Sequence, residues 1–121
     1  MRKSDKKIDN QIRAILTELC ESYFESIEGF KWLTHIVNYS NFPNSFKVVC
    51  IFEQKNDIEQ FLLLTSTANV NKNKVLTILN NKLVSAGIKI TKFDKLMKFD
   101  DEQSCLAEHN GNWANRLAAR Y

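Results

Sequence analysis

The chain has 121 residues, 44% hydrophobic and 26% charged, with three glycines, one proline and a formal net charge of +3. A domain of this size buries roughly two-thirds of the surface its unfolded chain exposes, so a single domain over 1–121 needs no metal or disulfide to fold, and its few glycines and prolines exclude a collagen-like or low-complexity chain. The longest purely apolar runs, Val48 to Phe52 and Phe61 to Leu64, fall far short of the about twenty residues of a membrane span, and a charged start from Met1 to Lys7 excludes a secretory signal; a cytoplasmic protein is expected.

The first helix is expected from about Ser4 to Ile27. Ile8, Ile12, Ile15, Leu16, Leu19 and Tyr23 fall on one stripe at helical spacing. Ser4 can cap its start, and Gly29 can take the left-handed conformation that stops it. After Gly29 the period changes to two. In Phe30 to Tyr39 one face carries Trp32, Thr34, Ile36 and Asn38 and the other Leu33, His35, Val37 and Tyr39, while in Phe46 to Glu53 one face carries Phe46, Val48, Cys50 and Phe52. Asn41-Phe42-Pro43-Asn44-Ser45 between them is turn chemistry, so the two segments are expected to pair as an antiparallel hairpin.

Asn56 or Asp57 can cap a short helix over about Ile58 to Leu64. A longer helix is expected from about Asn71 to Ala86, with Val75, Leu76, Leu79, Leu83 and Val84 apolar and Gly87 ending it. Ile88-Lys89-Ile90-Thr91 reads as a strand, and Lys95 to Asp100, with Met97 and Phe99 alternating, as a further one. Asp100 or Asp101 caps a helix to about Glu108. His109-Asn110-Gly111-Asn112 breaks it, and Trp113 and Leu117, four apart, face the core from a last helical turn or two. The expected fold class is α+β, an antiparallel sheet of three to four strands with helices packed on one face, in the order α-β-β-α-β-(β)-α.

Charge is unevenly placed along this order. Residues 1–13 hold Arg2, Lys3, Lys6, Lys7 and Arg13 against Asp5 and Asp9, a net +3, and residues 14–29 hold Glu18, Glu21, Glu25 and Glu28 with no base, a net −4. On one helix this order opposes the macrodipole, which favours acids at the N-terminus by about 0.3–1 kcal/mol each. Helix stability therefore does not explain it. A second cluster sets Lys72, Lys74, Lys82, Lys89, Lys92, Lys95 and Lys98 against Asp94 alone, a net +6. Such lysines offer phosphate contacts, without arginine for bidentate reading of guanine, and a lysine near a sheet edge also blocks aggregation.

The residues carry no catalytic signature. Cys20, Cys50 and Cys105 form no CxxC pair and read as reduced thiols, with Cys50 and Cys20 as packing residues. Cys105 and His109 stand four apart, which an ordinary helix end explains, and His35 alternates with apolar neighbours as a satisfied sheet histidine does. No catalytic residue, metal ligand or cofactor is assigned, and the chain is not read as an enzyme. Trp32, Phe42 and Trp113 are the aromatics to weigh as partner anchors. The two tryptophans read as closing the ends of the core. Phe42, in a turn beside Pro43, is the open candidate.

The opening Met1-Arg2-Lys3-Ser4-Asp5-Lys6-Lys7, the stretch Glu28-Gly29-Phe30-Lys31-Trp32-Leu33-Thr34-His35 with Asn41-Phe42-Pro43, and the late Asn110-Gly111-Asn112-Trp113 resemble a family of small uncharacterised bacterial proteins, some of them labelled Fis-family transcriptional regulators. The resemblance spans nearly the whole chain and implies no site residues. The nearest likeness to a recognition helix is Asn71 to Ile88, but it follows a polar loop from Thr65, and its apolar positions are committed to a sheet. The resemblance therefore points to nucleic-acid binding without a helix-turn-helix. Two functions follow: a binding module for nucleic acid through Lys72, Lys74, Lys82, Lys89, Lys92, Lys95 and Lys98, or a protein-interaction or self-associating module using Trp32 and Phe42.

Overall fold

In the computed structural model, which describes residues 3–42, 45–63, 70–90 and 95–121, helix α1 (Lys3–Ser22) buries Ile12, Leu16 and Leu19 on the stripe its sequence predicts. The helix stops short of Ile27. Tyr23 leaves helical geometry at φ −132° and ψ −56°, and a 3-10 turn over Phe24–Ser26 drives Phe24 fully into the core, where it stacks on Phe30 at 4.6 Å. Ser4 lies within the helix rather than capping it. Gly29 is left-handed at φ +82°, and a Cβ there would collide with the Asp57 side chain, so the position excludes other residues on two grounds.

Strands β1 (Phe30–Ile36) and β2 (Lys47–Phe52) pair antiparallel, as expected, with a bulge between Phe30 and Trp32. Helix α2 (Lys55–Leu63) follows, and the Asp57 carboxylate accepts the Gln54 N–H just before its first residue. That bond satisfies an otherwise orphaned donor at the helix start. Helix α3 (Val70–Ser85) ends in a left-handed Gly87. Ile88 N–H bonds the Leu83 carbonyl and Gly87 N–H the Val84 carbonyl, a Schellman ending that accounts for the glycine.

The second half of the sheet departs from expectation. Residues 88–90 form no strand, and Thr91 lies outside the described residues. The third strand is β3 (Met97–Asp101), it pairs with β2 in parallel, and the sheet is a mixed one of order β1-β2-β3. Physically, α2 and α3 carry the chain back along the sheet before β3 begins, so β3 runs in the direction of β2. An all-antiparallel sheet would have needed a short return.

Helices also occupy both faces, not one. Val48, Cys50, Phe52, Met97 and Phe99 point into the main core with α1, α2 and α3. Alternation then places Val49, Ile51, Lys98 and Asp100 on the opposite face. Helices α4 (Glu102–His109) and α5 (Trp113–Arg120) follow β3, and α5 covers that face. Asp101 caps α4 by accepting Ser104 N–H at 2.7 Å, and Asn112 caps α5 by accepting Asn115 N–H at 3.0 Å. The fixing contact is a buried ion pair, Arg116 Nε to Asp100 Oδ2 at 2.7 Å and Nη2 to Oδ1 at 2.8 Å, each side chain 2% exposed. Glu108 also accepts from Arg116, and Tyr121 donates its hydroxyl to Asp100 at 3.2 Å. Burial alone would raise the Asp100 pKa, but the Arg116 hydrogen bonds outweigh it and hold the carboxyl below its ordinary value.

Removing one partner of this pair leaves a buried charge uncompensated. Arg116→Met should cost about 3–5 kcal/mol in denaturant unfolding, and the double variant Asp100→Leu/Arg116→Met should recover part of that loss. A double variant less stable than Arg116→Met alone would show that the pair is not what fixes α5.

Candidate functional site

A groove follows the free side of β1, the strand at one edge of the sheet. Two hollows of about 460 and 410 Å³ lie between α1 and β1 and meet at Cys20 and Leu33. Arg13, Leu16 and Thr17 face Leu33, Thr34 and His35 in the first. Glu21 and Glu25 face Phe30, Lys31 and Trp32 in the second. Helix α1 therefore runs antiparallel to β1; the groove carries Arg13, paired with Asp9, at its His35 end and Glu21 and Glu25 at its Phe30 end, where Lys31 pairs with Glu53 instead.

The His35 end is built on Asp9. This carboxylate, buried to 11% exposure of its side chain, accepts Tyr39 Oη at 2.7 Å and Arg13 Nε at 2.9 Å, and His35 Nε2 lies 2.9 Å from the same oxygen as the tyrosine. An ionised carboxylate only accepts, so His35 donates from Nε2. The hydrogen bonds from His35 and then Tyr39 hold the Asp9 pKa below its ordinary value, while burial and the Asp9 contact push the Tyr39 hydroxyl far up. The cluster ties α1 to β1 and to the turn after it. His35 is thus the satisfied sheet histidine its sequence suggests. Charge alone does not single out Asp9; the signal for it is the spacing Asp9, Ile12, Leu16, Leu19, which places it on the buried stripe of α1.

The aromatics are mostly spent on packing. Trp32 meets Trp113 edge to face at 5.2 Å and donates Nε1 to Glu102 Oε1 at 3.1 Å, across the face that α5 covers. Phe42 is half-buried against the core, with Tyr39 at 5.8 Å and Phe46 at 6.3 Å between ring centres. Its position in a turn suggests exposure, but packing against Phe46 and Tyr39 draws it partly inward.

The lysines do not share one face. Lys82 Nζ pairs with Glu18 of α1 at 2.6 Å and Lys74 Nζ sits 5.6 Å over the Tyr23 ring, so both lean toward α1. Lys98 alternates onto the α5 side of the sheet, and Lys89 and Lys95 are exposed beyond α3. Lys92 lies outside the described residues, as does the side chain of Lys72.

Cys50 and Cys105 are fully buried, and burial raises the pKa of both thiols. Cys20 is partly exposed at the centre of the groove, its thiol raised by burial and by Glu21. His109 Nδ1 faces Arg116 Nη1 at 3.3 Å rather than the Cys105 thiol. Among the described residues no three His, Cys, Asp or Glu side chains gather at metal-binding range, and no helix is long and apolar enough to cross a membrane. No protein-family model, no curated protein and no solved structure matches the chain.

Two measurements follow from this geometry. Because the folded Asp9 pKa lies below the ordinary 3.8, its contribution is complete above that value and is lost as pH falls through the folded pKa. Asp9→Asn should cost about 1–3 kcal/mol at neutral pH, and its stability should converge on that of the parent chain as pH falls below the ordinary carboxylate value and through the folded pKa; curves that stay parallel throughout the acid limb would remove Asp9 from it. A thiol reagent should modify Cys20 alone in the native protein, slowly because its thiolate is scarce, with Cys50 and Cys105 reacting only on unfolding. Rapid native modification of Cys105 would overturn the packing assigned to it.

Proposed function

We propose that this chain is a protein-interaction module, not a catalyst, and that it recognises an extended polypeptide added to β1 as a further strand. One observation carries the reading. The edge strand β1 has a single strand neighbour among the described residues, and a groove long enough to receive alternate side chains runs beside it. Edge strands are commonly blunted by proline, charge or bulges. Here the bulge sits at the very start, and from Trp32 to Ile36 the strand carries neither proline nor a lysine, arginine or carboxylate. Trp32 lines the Phe30 end of the groove, but its ring packs against Trp113 on the α5 face, and Phe42 does not line the groove, so neither aromatic carries this reading.

The nucleic-acid reading draws less support, because phosphate contacts need basic side chains spread over one surface, and Lys74 and Lys82 lean toward α1 while Lys98 lies on the opposite face of the sheet. The Asp9 carboxylate is occupied by three donors and Cys105 is enclosed, so neither is poised as a base or nucleophile.

Selection from a random-peptide library on the immobilised protein should return sequences with apolar residues at every second position. N-methylation of alternate backbone amides in such a peptide should abolish its binding, since main-chain hydrogen bonds supply the affinity of strand addition. Peptide binding indifferent to N-methylation would sink the reading. So would failure of every peptide together with duplex DNA binding that weakens steeply with salt, which would restore Lys89 and Lys95 as the residues to test.

A further inference from the structure

Resting on that reading of the β1 edge, we infer that the segment it takes is β1 of a second copy of this chain, joined about a two-fold axis into a continuous six-stranded sheet. The charge order of α1 is the argument. Its N-terminal half carries Lys3, Lys6, Lys7 and Arg13 against Asp5 and Asp9, a net +2, while Glu18 and Glu21 near its end and Glu25 in the turn that follows have no base among them, an order that on balance works against the helix dipole. The arrangement therefore answers to something outside the helix. Within the fold, Glu18 turns to Lys82 on α3, but Glu21 and Glu25 line the groove at the Phe30 end while Arg13 lines it at the His35 end.

A two-fold axis at the edge pairs β1 antiparallel with its own copy and keeps both α1 helices on the same face of the joined sheet. Because α1 runs antiparallel to β1, the two α1 helices then also run antiparallel across the seam. Arg13 comes opposite Glu21 and Glu25 of the partner subunit, and the same contacts repeat on the other side of the axis. The groove is self-complementary in charge, as an isologous interface requires. Arg13 is half-committed, to Asp9 of its own helix. It meets Asp9 through Nε and its side chain is 71% exposed, so Asp9 fixes its stem and leaves the rest of the guanidinium toward the seam. The partly exposed Cys20 sits at the middle of the groove and becomes covered in the pair.

Charge-swapped variants test this directly. Sedimentation of the full chain at low salt should show a dimer that dissociates on dilution, with Cys20 modification slowing as protein concentration rises. Arg13→Glu sets acid against acid, and Glu21→Arg/Glu25→Arg sets base against base. Each should raise the dimer dissociation constant by about tenfold or more while retaining the circular dichroism of the folded chain, and an equimolar mixture of the two should restore the dimer as a heterodimer. Should Arg13→Glu fail to fold through its neighbour Asp9, Arg13→Gln mixed with the parent chain supplies the same comparison against Glu21→Arg/Glu25→Arg alone. A chain that stays monomeric at roughly millimolar concentration overturns the inference, as does a dimer indifferent to all of these changes or one that leaves Cys20 equally reactive. Peptides that bind such a monomer and are defeated by N-methylation would leave the edge-strand reading standing without it.

Discussion

Strand β2 buries five consecutive side chains, Val48 to Phe52, each with no exposed surface, and a strand apolar on both faces demands a layer of structure against each. The rest of the molecule meets that demand. Helices α1, α2 and α3 pack on the Val48, Cys50 and Phe52 side, and α5 closes the Val49 and Ile51 side. Each large aliphatic or aromatic side chain removed from water contributes about 1.5–3 kcal/mol, so leaving either face open would forfeit much of the stability a domain of this size possesses.

The two layers are secured by different chemistry. On the α1 side, burial is apolar and continuous, and the one polar intrusion, Asp9, is offset by three donors from α1, β1 and the following turn. On the α5 side, α5 is only eight residues long, too short to be stable alone. A buried Asp100–Arg116 pair with further bonds from Tyr121 and Glu108 holds it. Such a pair adds less net stability than apolar packing would, because both charges lose their hydration. It does fix where α5 sits, since the guanidinium fork has one good approach to the carboxylate.

With β2 central and β3 leading directly into α4, β1 is left as the edge that faces outward beside α1. The groove is a consequence of that placement. Helix α1 is held to β1 at Asp9, and beyond that point Arg13, Thr17 and Glu21 of the helix line the hollows together with residues of the strand. The proposed function and the proposed self-pairing both use the free edge of β1, the edge strand that the groove follows.

Local features of the sequence determined a good part of this. The apolar stripe of α1, the change to a two-residue period after Gly29, the left-handed glycines at 29 and 87, and the cap at Asp101 depend on residues a few positions apart, where spacing and backbone sterics decide the outcome. The direction and number of strands did not follow. Ile88 to Ile90 alternates as a strand does but pairs with none of the described strands, whereas Met97 to Asp101 takes the open side of β2. Tertiary structure alone decided that pairing, the second helical layer, and the convergence of Asp9 with His35 and Tyr39 from 26 and 30 residues away. The physical reason is common to all three. Which partners meet across the chain depends on the path of the connections between them, and a local pattern of side chains constrains its own segment without specifying that path.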